Sequence, residues 1–346
     1  MDIILFLTCI ILCCVGLMSC YDNAYVINGV GVFIGSTMMN IQNDFPRELQ
    51  SREALTEELT SIIKRFSPID GEHKVAIPSL TFFRFSSPSK EESTLSKVAL
   101  IFAAQGSKTI KAGEEYYDYD SRRCLVTSVD MPISGRVLEA SHDKPYLCFT
   151  FEIDMKLAAN LASAKDFPVP DEPSAGPGIS TGELSIELME ATCRLARLLL
   201  TPKHIPMLAP LIEQEIIYRI LMSNQGVRLR QSMIRDSSSY KITKAINWLK
   251  AHFNEPIRID VLAKHVNMST SSLYQHFKDA TSLSPLQYQK RLRLMEARAR
   301  LLERASDVTL VASAVGYDHI SQFHREYKKL FGAPPVQDAK RLRKDI

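Results

Sequence analysis

The chain has 346 residues, of which 45% are apolar and 23% charged, a balance typical of a globular protein with room for about two domains. Its seven cysteines exclude a disulfide framework, because Cys9, Cys13, Cys14 and Cys20 cluster at the start and the others have no paired spacing. Residues 240–346 hold 19 Lys and Arg against 10 Asp and Glu, a net charge of +9, while the rest carries −6. A basic final third predicts that this part meets a polyanion.

The first 38 residues begin with a segment that is uncharged between Asp2 and Asp22, long enough to span a bilayer or to act as a signal peptide. Targeting segments place Lys or Arg before such a stretch, and this chain has neither there. An ordinary amphipathic sequence begins at Met38. We therefore expect residues 1–38 to be an upstream extension and the protein to be cytoplasmic. Anchoring in the inner membrane through residues 3–20 and a cleaved signal are the alternatives.

The next segment predicts one helix followed by strands. Between residues 49 and 66, apolar side chains recur on one side of a helix: Leu55, Leu59, Ile62, Ile63 and Phe66. From residue 67 to 153, β-prone runs such as T-F-F-R-F, K-V-A-L-I-F-A-A, C-L-V-T-S-V and L-C-F-T-F-E-I alternate with turn signals. This spacing is typical of an antiparallel sandwich or a small barrel.

Helices return after the strands. Residues 166–182 are rich in Pro, Gly, Ser and acidic residues and predict an exposed loop, followed by helices at 183–200 and 206–223. Residues 225–239 predict a polar linker. The remainder, 240–346, predicts helices throughout.

The last hundred residues contain an internal repeat, since Q-K-R-L-R at 289–293 returns as A-K-R-L-R at 339–343. Each unit has the pattern of a helix, a tight turn and a second helix. The sequence therefore predicts two helix-turn-helix units in one all-helical region.

The turns of the two units have different chemistry. In the first unit a helix over 259–266 precedes a turn at 267–268, and Ser269 can cap the second helix, which ends near residue 280. In the second unit Gly316 follows a helix over 309–315, and its missing Cβ permits a left-handed turn.

The second helix of each unit has an apolar side and a polar side. The apolar spacing predicts these core residues: Leu273, Phe277, Phe323, Tyr327, Leu330 and Phe331. Side chains that can bind base edges or phosphates occupy the other faces: Ser271, Tyr274, Gln275, Lys278, Ser321, Gln322, Arg325 and Lys329. A solvated helical bundle would explain one such unit, but it explains two on a region of net charge +9 less well.

A long helix separates the two units. Ser284 and Pro285 have the residue types of an N-cap and a first helical position, and the helix continues to about Glu303. Such a helix is roughly 29 Å long at 1.5 Å per residue. That length is close to one DNA turn of roughly 34 Å, which places two recognition helices in successive major grooves.

This last region resembles the DNA-binding domain of AraC/XylS-type transcription regulators. The resemblance is carried by A-S-A-V-G-Y-D-H-I-S-Q-F-H-R-E-Y-K-K-L-F-G-A-P-P (312–335), L-A-K-H-V-N-M-S-T-S-S-L-Y-Q-H-F-K and S-P-L-Q-Y. It implies seven helices, with base contacts from these residues: Ser271, Tyr274, Gln275, Ser321, Gln322 and Arg325. Lys278 and Lys329 are phosphate-binding candidates from their charge and position. His319 stands where the family often has Ser, so the cap there should be weaker or come from Asp318.

The earlier region resembles the N-terminal sensor domain of one AraC subgroup, through Q-G-S-K (105–108), Y-D-Y-D (117–120), S-V-D-M-P-I-S-G (128–135) and L-A-P-L-I-E-Q-E-I-I-Y-R-I-L (208–221). The resemblance implies a cupin-like barrel with a small effector in its lumen, followed by helices that often dimerise. The expected fold class is thus α+β and multidomain: a cupin-like β-barrel with flanking helices, then an all-α domain with two helix-turn-helix motifs. The expected boundaries are 1–38 (leader), 39–224 (sensor), 225–239 (linker) and 240–346 (DNA-binding).

A cupin-like barrel could instead be a metal enzyme. Metal cupins need clustered His and carboxylate ligands, and residues 67–154 contain only His73 and His142. We therefore expect no catalytic residues, no metal and no cofactor. Cys124 and Cys148, on predicted strands, are candidates for effector-reactive thiols, although inert packing is the commoner role of cysteine. Cys148 alternates with polar residues on a face that a lumen would contain: Tyr146, Thr150 and Glu152.

The predicted function is sequence-specific transcription regulation, with activation implied by the resemblance. The expected partners are promoter DNA, RNA polymerase, a small-molecule or redox effector and a second copy of the chain. A cupin-type metal enzyme and a membrane-tethered form of the same regulator are the alternatives. The effector, the operator and the regulated genes have no signature in the sequence.

Overall fold

A computed structural model describes residues 19–21, 24–27, 30–33, 41–164, 167, 177–303 and 307–344. The chain divides into two compact units, Met1–Ser51 and Arg52–Ile346. In the first unit, three short strands form an antiparallel sheet: β1 (Ser19–Tyr21), β2 (Ala24–Ile27) and β3 (Val30–Phe33). Residues 3–18 of the proposed membrane anchor lie outside the described residues. Among the described helices, none is long and apolar enough to cross a membrane.

The first helix, α1 (Ile41–Phe66), begins eight residues earlier than predicted. The apolar side chains that predicted this helix begin at Leu55, so their periodicity gave no signal for its first residues. The predicted apolar side is confirmed. Leu59, Ile62 and Ile63 are buried, and Leu55 and Phe66 pack against the same core.

The sheet region, residues 52–237, contains two antiparallel sheets. The six-stranded sheet has the order β13-β10-β7-β12-β5-β4, and the four-stranded sheet has the order β6-β11-β8-β9. The strands are β4 (Gly71–Lys74), β5 (Leu80–Phe85), β6 (Glu92–Ser96), β7 (Ala99–Gln105), β8 (Ser107–Ala112), β9 (Glu115–Tyr119), β10 (Arg123–Thr127), β11 (Met131–Glu139), β12 (Tyr146–Glu152) and β13 (Ile179–Glu183). All four predicted β-prone runs are strands, and the two sheets together form a barrel that is not closed.

The strands alternate between two cores. Residues of both sheets form the intersheet core, which consists of Ala103, Ile110, Ala112, Tyr119, Leu125, Met131, Ile133, Val137, Tyr146, Cys148 and Ile179. The other face of the six-stranded sheet packs against helices through residues such as Leu147, Phe149 and Phe151. Those helices include α1, α2 (Met155–Ala162), α3 (Ile186–Arg197), α4 (Ile205–Met222) and α5 (Val227–Met233).

Two predictions in this region are wrong. The predicted loop 166–182 ends in β13, whose five residues pair with β10, so backbone pairing overrides the turn-like composition. The predicted linker 225–239 contains α5, whose Leu229, Gln231 and Ser232 are buried. A short helix that buries polar residues has no apolar periodicity to reveal it.

The helical region, residues 238–344, contains seven helices within its described residues, as predicted. They are α6 (Ser238–Ala251), α7 (Ile259–His265), α8 (Thr270–Thr281), α9 (Pro285–Glu303), α10 (Val308–Ala314), α11 (Ile320–Phe331) and α12 (Pro335–Lys344). The first core contains Leu273, Phe277 and Tyr288 with residues of α6 and α7. The second core contains Val311, Phe323 and Tyr327 with residues of α9 and α12.

Candidate functional site

The first helix-turn-helix unit consists of α7 and α8. Asn267 in the turn has a φ of 54°, and the Ser269 hydroxyl accepts a hydrogen bond from the Ser272 N–H at 3.1 Å, which caps α8. Leu273 and Phe277 are fully buried in the first core. These anchors fix the rotation of α8, so its opposite side faces solvent.

The solvent side of α8 carries the four polar residues predicted for this unit: Ser271, Tyr274, Gln275 and Lys278, all exposed. The Gln275 amide Nε2 donates to the Asp279 carboxylate at 3.0 Å, one helical turn away. This face offers hydroxyl, amide and ammonium groups to a partner.

The second unit consists of α10 and α11. Gly316 in its turn has a φ of 90°, and an added Cβ would lie 2.3 Å from the Asn254 carbonyl oxygen, so only glycine fits there. His319 is the N-cap residue of α11, and its side chain makes no capping hydrogen bond. Among the described contacts, Asp318 provides none either. The buried side chains of Phe323 and Tyr327 therefore orient this helix.

The solvent side of α11 carries the four residues predicted for the second unit: Ser321, Gln322, Arg325 and Lys329, all exposed. Behind them, the Glu326 carboxylate accepts hydrogen bonds from Lys290 Nζ at 2.9 Å, Tyr317 Oη at 2.8 Å and Gln322 Nε2 at 3.2 Å. Burial alone would raise the pKa of Glu326, but these donors and the charge of Lys290 hold it below its usual value. The sequence analysis missed Glu326, although it lies one turn after Gln322.

The spacer helix α9 joins the two units as one body. The Ser284 N–H donates to Gln287 Oε1 at 3.0 Å and the Gln287 N–H donates to Ser284 Oγ at 3.3 Å, which caps the helix start as predicted. Its 19 residues give a length of about 29 Å. It contributes to the first core through Tyr288 and Leu292 and to the second core through Leu294, Ala297 and Leu301.

The space between the two sheets is a second candidate site. Most of the intersheet core is apolar, but the Tyr119 hydroxyl hydrogen-bonds the Tyr146 hydroxyl at 2.8 Å and lies 4.0 Å from Cys148 Sγ. The structure places Tyr146 and Cys148 on the inner face, where their alternation along β12 predicted them. Cys124 instead packs in the core that faces the helices.

The two predicted thiols are buried and protonated. Burial raises the pKa of Cys124 to about 12 and raises that of Cys148 as well. A thiolate is the nucleophilic form of cysteine, so both groups are poor nucleophiles near neutral pH.

The described residues contain no cluster of three or more His, Cys, Asp or Glu side chains that could hold a metal ion. His73 Nε2 meets the Ile69 carbonyl oxygen at 2.8 Å, and His142 is exposed.

Two polar residues of the sheet region were missed from the sequence. Lys108 lies beside the intersheet core, and its alternation with Ile110 and Ala112 along β8 was the available signal. Asp130 pairs with Lys250 in the helical region, and its carbonyl oxygen accepts a hydrogen bond from Tyr288 Oη at 2.8 Å. Both residues lie within the stretches 105–108 and 128–135 that carry the sensor resemblance.

Comparison with protein families gives two matches. The family model described as AraC-type transcriptional regulator N-terminus matches residues 76–228, and a helix-turn-helix domain model matches residues 262–341. These ranges cover most of the sheet region and most of the helical region.

Among curated relatives, the HTH-type transcriptional regulator ArgR of Pseudomonas aeruginosa is 30% identical over 146 residues, 42% of this chain and 44% of that protein. The HTH-type transcriptional activator RhaS of Pectobacterium carotovorum is 29% identical over 113 residues, 32% of this chain and 40% of that protein. The matched segments thus span less than half the length of these relatives.

Among solved structures, ToxT of Vibrio cholerae O395 bound to (E)-4-(8-methylnaphthalen-1-yl)but-3-enoic acid superimposes with a TM-score of 0.53 at 11% identity, over 76% of this chain and 98% of that chain. A second crystal form of ToxT from Vibrio cholerae gives a TM-score of 0.51 at 11% identity, over 75% of this chain and 97% of that chain. At this identity the likeness concerns the fold.

Proposed function

Because the chain belongs to the AraC-type transcriptional regulators, we propose that it binds specific promoter DNA through α8 and α11 and so regulates transcription. One observation carries the proposal. The two second helices each bury an apolar side and expose a polar side, and a single helix of 19 residues holds them together. Such an arrangement can read two successive major grooves on one face of DNA.

The roles of individual residues follow from their chemistry. Ser271, Tyr274 and Gln275 on α8, and Ser321, Gln322 and Arg325 on α11, are proposed to contact base edges. Lys278 and Lys329 are proposed to neutralise phosphates, which gives affinity without sequence preference. Arg325 is well suited to contact guanine, because its guanidinium can donate two parallel hydrogen bonds to O6 and N7 of the base.

The sheet region is proposed to sense a small effector between its two sheets. The intersheet core is largely apolar and contains a few convergent polar groups, as ligand sites commonly do. One ToxT structure of the same fold carries a carboxylic acid. On binding its effector the protein is proposed to act on RNA polymerase at the promoter, as an activator.

A homodimer is proposed through α4. Four large apolar side chains follow one side of this helix and face solvent: Met207 (76% exposed), Leu211 (61%), Tyr218 (48%) and Met222 (45%). Their spacing of four, seven and four residues places them in one stripe. An exposed apolar stripe of this kind is typical of a protein interface.

Selection of DNA sites from a random pool by the purified protein tests the proposal, with affinity measured against salt. We expect an enriched motif of two blocks separated by about 10 base pairs, one helical turn. Binding that falls steeply with salt and enriches no motif would contradict sequence-specific recognition, because it would reflect phosphate contacts alone.

A further inference from the structure

Lys108 directs its side chain into the space between the two sheets. On β8 it alternates with Ile110 and Ala112, which are buried in the intersheet core. In the pairing of β8 with β9, Lys108 lies directly opposite Tyr119, so the two side chains share the inner face. Gly135 on β11 leaves room for the lysine, since an added Cβ there would lie 3.0 Å from Lys108 Cε.

Opposite Lys108, the other sheet contributes Tyr146 and Cys148. The Tyr119–Tyr146 hydrogen bond of 2.8 Å crosses from one sheet to the other, and Lys108 Nζ lies 6.0 Å from the centre of the Tyr146 ring. Two hydroxyl groups have two protons, and their mutual bond uses one. The other proton has only weak acceptors nearby, such as the Cys148 sulfur, 4.0 Å from Tyr119 Oη.

The ammonium group of Lys108 has no counter-charge within ion-pairing distance among the described residues. Glu92, an exposed residue, is the carboxylate that acts on it, and it forms no ion pair with it. Burial lowers the pKa of Lys108. Lys111, three residues later on the opposite face, instead lies 4.0 Å from Glu114 and over the Tyr116 ring. A half-buried cation without an ion-pair partner is costly, so the site favours an anion.

The inner face is partly open to solvent beside these groups. Four of its apolar side chains are only half-buried: Phe83, Phe85, Ile101 and Tyr117. The Phe85 ring lies 6.2 Å from the Tyr146 ring, next to Lys108. The site therefore combines a cation, a hydroxyl donor and apolar walls.

We propose that this intersheet site binds an organic carboxylate, with the Lys108 ammonium paired to the carboxylate, the remaining hydroxyl proton of the Tyr119–Tyr146 pair donated to it, and its apolar part against Phe83 and Phe85. The proposal names the chemical class of the effector, and in that respect it rests on the proposed function. It assigns a role to Lys108, the last residue of the stretch 105–108 that carries the sensor resemblance.

Calorimetric titration of the full protein without DNA tests this assignment. The probes are acetate, hexanoate, benzoate and phenylacetate, each compared with its primary amide, which has nearly the same shape and no charge. We expect at least one carboxylate to bind and its amide to bind at least tenfold more weakly. Lys108→Met should lower the affinity for that carboxylate at least tenfold, and the matched variant Lys111→Met should leave it unchanged.

Equal binding by Lys108→Met and wild type would overturn the proposal, as would failure of every carboxylate to bind at millimolar concentration. Thermal unfolding gives a second readout. Without ligand, Lys108→Met should melt at or above the wild-type temperature, because it removes an unpaired cation; a lower melting temperature would indicate a structural lysine. An acid that binds to a protein which selects no DNA motif would support this site and count against the proposed function alone.

Discussion

The two helix-turn-helix units differ in what completes their hydrophobic cores. The first core includes Val129 of the sheet region, and Leu95 of β6 packs against it. The second core is built from residues after position 237, in α9 to α12 and the loop that contains Phe253. The first unit therefore shares its interior with the sheet region, and the second completes its own.

Hydrogen bonds follow the same division. The Asp130 carboxylate pairs with Lys250 of α6 and accepts from the Val98 N–H at 3.1 Å, while its carbonyl oxygen accepts from Tyr288 Oη of α9. At the end of α8, the Gly178 N–H donates to the Ala280 carbonyl oxygen at 2.7 Å. In the second unit the buried ion pairs are those of Asp338 with Arg298 and Arg341, which lie in α9 and α12.

This difference indicates how the sheets could act on DNA binding. Residues 129–130 come directly before β11, whose inner face lines the intersheet core. A ligand that moves β11 would therefore act first on α6, α8 and α9. We infer that the first unit is the one that shares its buried core and hydrogen bonds with the sheet region, and that the second unit follows through α9 and through the close approach of α11 to β6.

The largest expected effect comes from removing the buried carboxylate of Asp338, which pairs with two arginines inside the second unit. Asp338 is fully buried, binds Arg298 at 2.8 Å and Arg341 at 3.0 Å, and accepts from Tyr327 Oη at 3.0 Å. Asp338→Ala leaves a largely buried Arg298 and the Tyr327 hydroxyl without their acceptor, so we expect a loss of about 3–5 kcal/mol of folding free energy, measured by urea unfolding.

Asp260 is the matched control, because it pairs with Arg258 at the surface of the first unit. Asp260→Ala should leave unfolding almost unchanged. In DNA footprints, Asp338→Ala should lose protection of one block and keep the other. Loss of both blocks together would contradict the comparison, since it would mean that α9 transmits the loss of the second core to the first unit.

The next effect concerns base reading by the two units. Arg325→Ala should cost about 1–3 kcal/mol of specific binding and relax discrimination at one base of one block. Gln275→Ala should relax discrimination in the other block. Binding by Arg325→Ala to the selected site with wild-type affinity would remove Arg325 from the proposed interface.

Much of this region could be predicted from the sequence, and the reason is local. Helix periods, the Ser269 and Ser284 caps and the turn at Gly316 depend on residues a few positions apart, so the repeat predicted both units and their exposed faces. The DNA contacts proposed for the eight exposed residues of α8 and α11 stay predictions. The structure confirms the weak cap predicted at His319, whose side chain makes no capping hydrogen bond.

The contacts that link the units to the sheets could not be predicted in this way. Asp130 and Tyr288 are 158 residues apart in the chain, and no local pattern relates them. Lys108 is a partial case, because alternation along β8 indicates its inward direction but its position opposite Tyr119 depends on the register of β8 with β9. The sequence of α5 predicts a polar linker for the same reason, since the burial of this helix depends on tertiary neighbours.

A smaller effect distinguishes the two buried tyrosines. Tyr288 and Tyr327 are both fully buried, one in each core. Tyr288→Phe removes the donor to Asp130, and Tyr327→Phe removes the donor to Asp338, so each should cost about 0.5–1.5 kcal/mol of folding free energy. Amide hydrogen exchange should show which residues each substitution destabilises. Tyr288→Phe should speed exchange at 128–131 in the sheet region, whereas Tyr327→Phe should affect only α11 and α12.

The smallest effect tests whether both units touch DNA under the same conditions. Lys278→Ala and Lys329→Ala each remove one exposed cation, and each should weaken binding to every sequence and lower the salt slope by about one. Lys329 belongs to the unit that completes its own core, and α11 meets the sheets only near β6, so its effect should depend less on the state of the sheets than that of Lys278. Lys278 belongs to the unit fixed to Asp130. If Lys278→Ala left the salt slope unchanged until a carboxylate was added, the sheets would be holding α8 away from the phosphates. If Lys278→Ala lowered the salt slope equally with and without the carboxylate, α8 would already lie against the phosphates before the ligand binds.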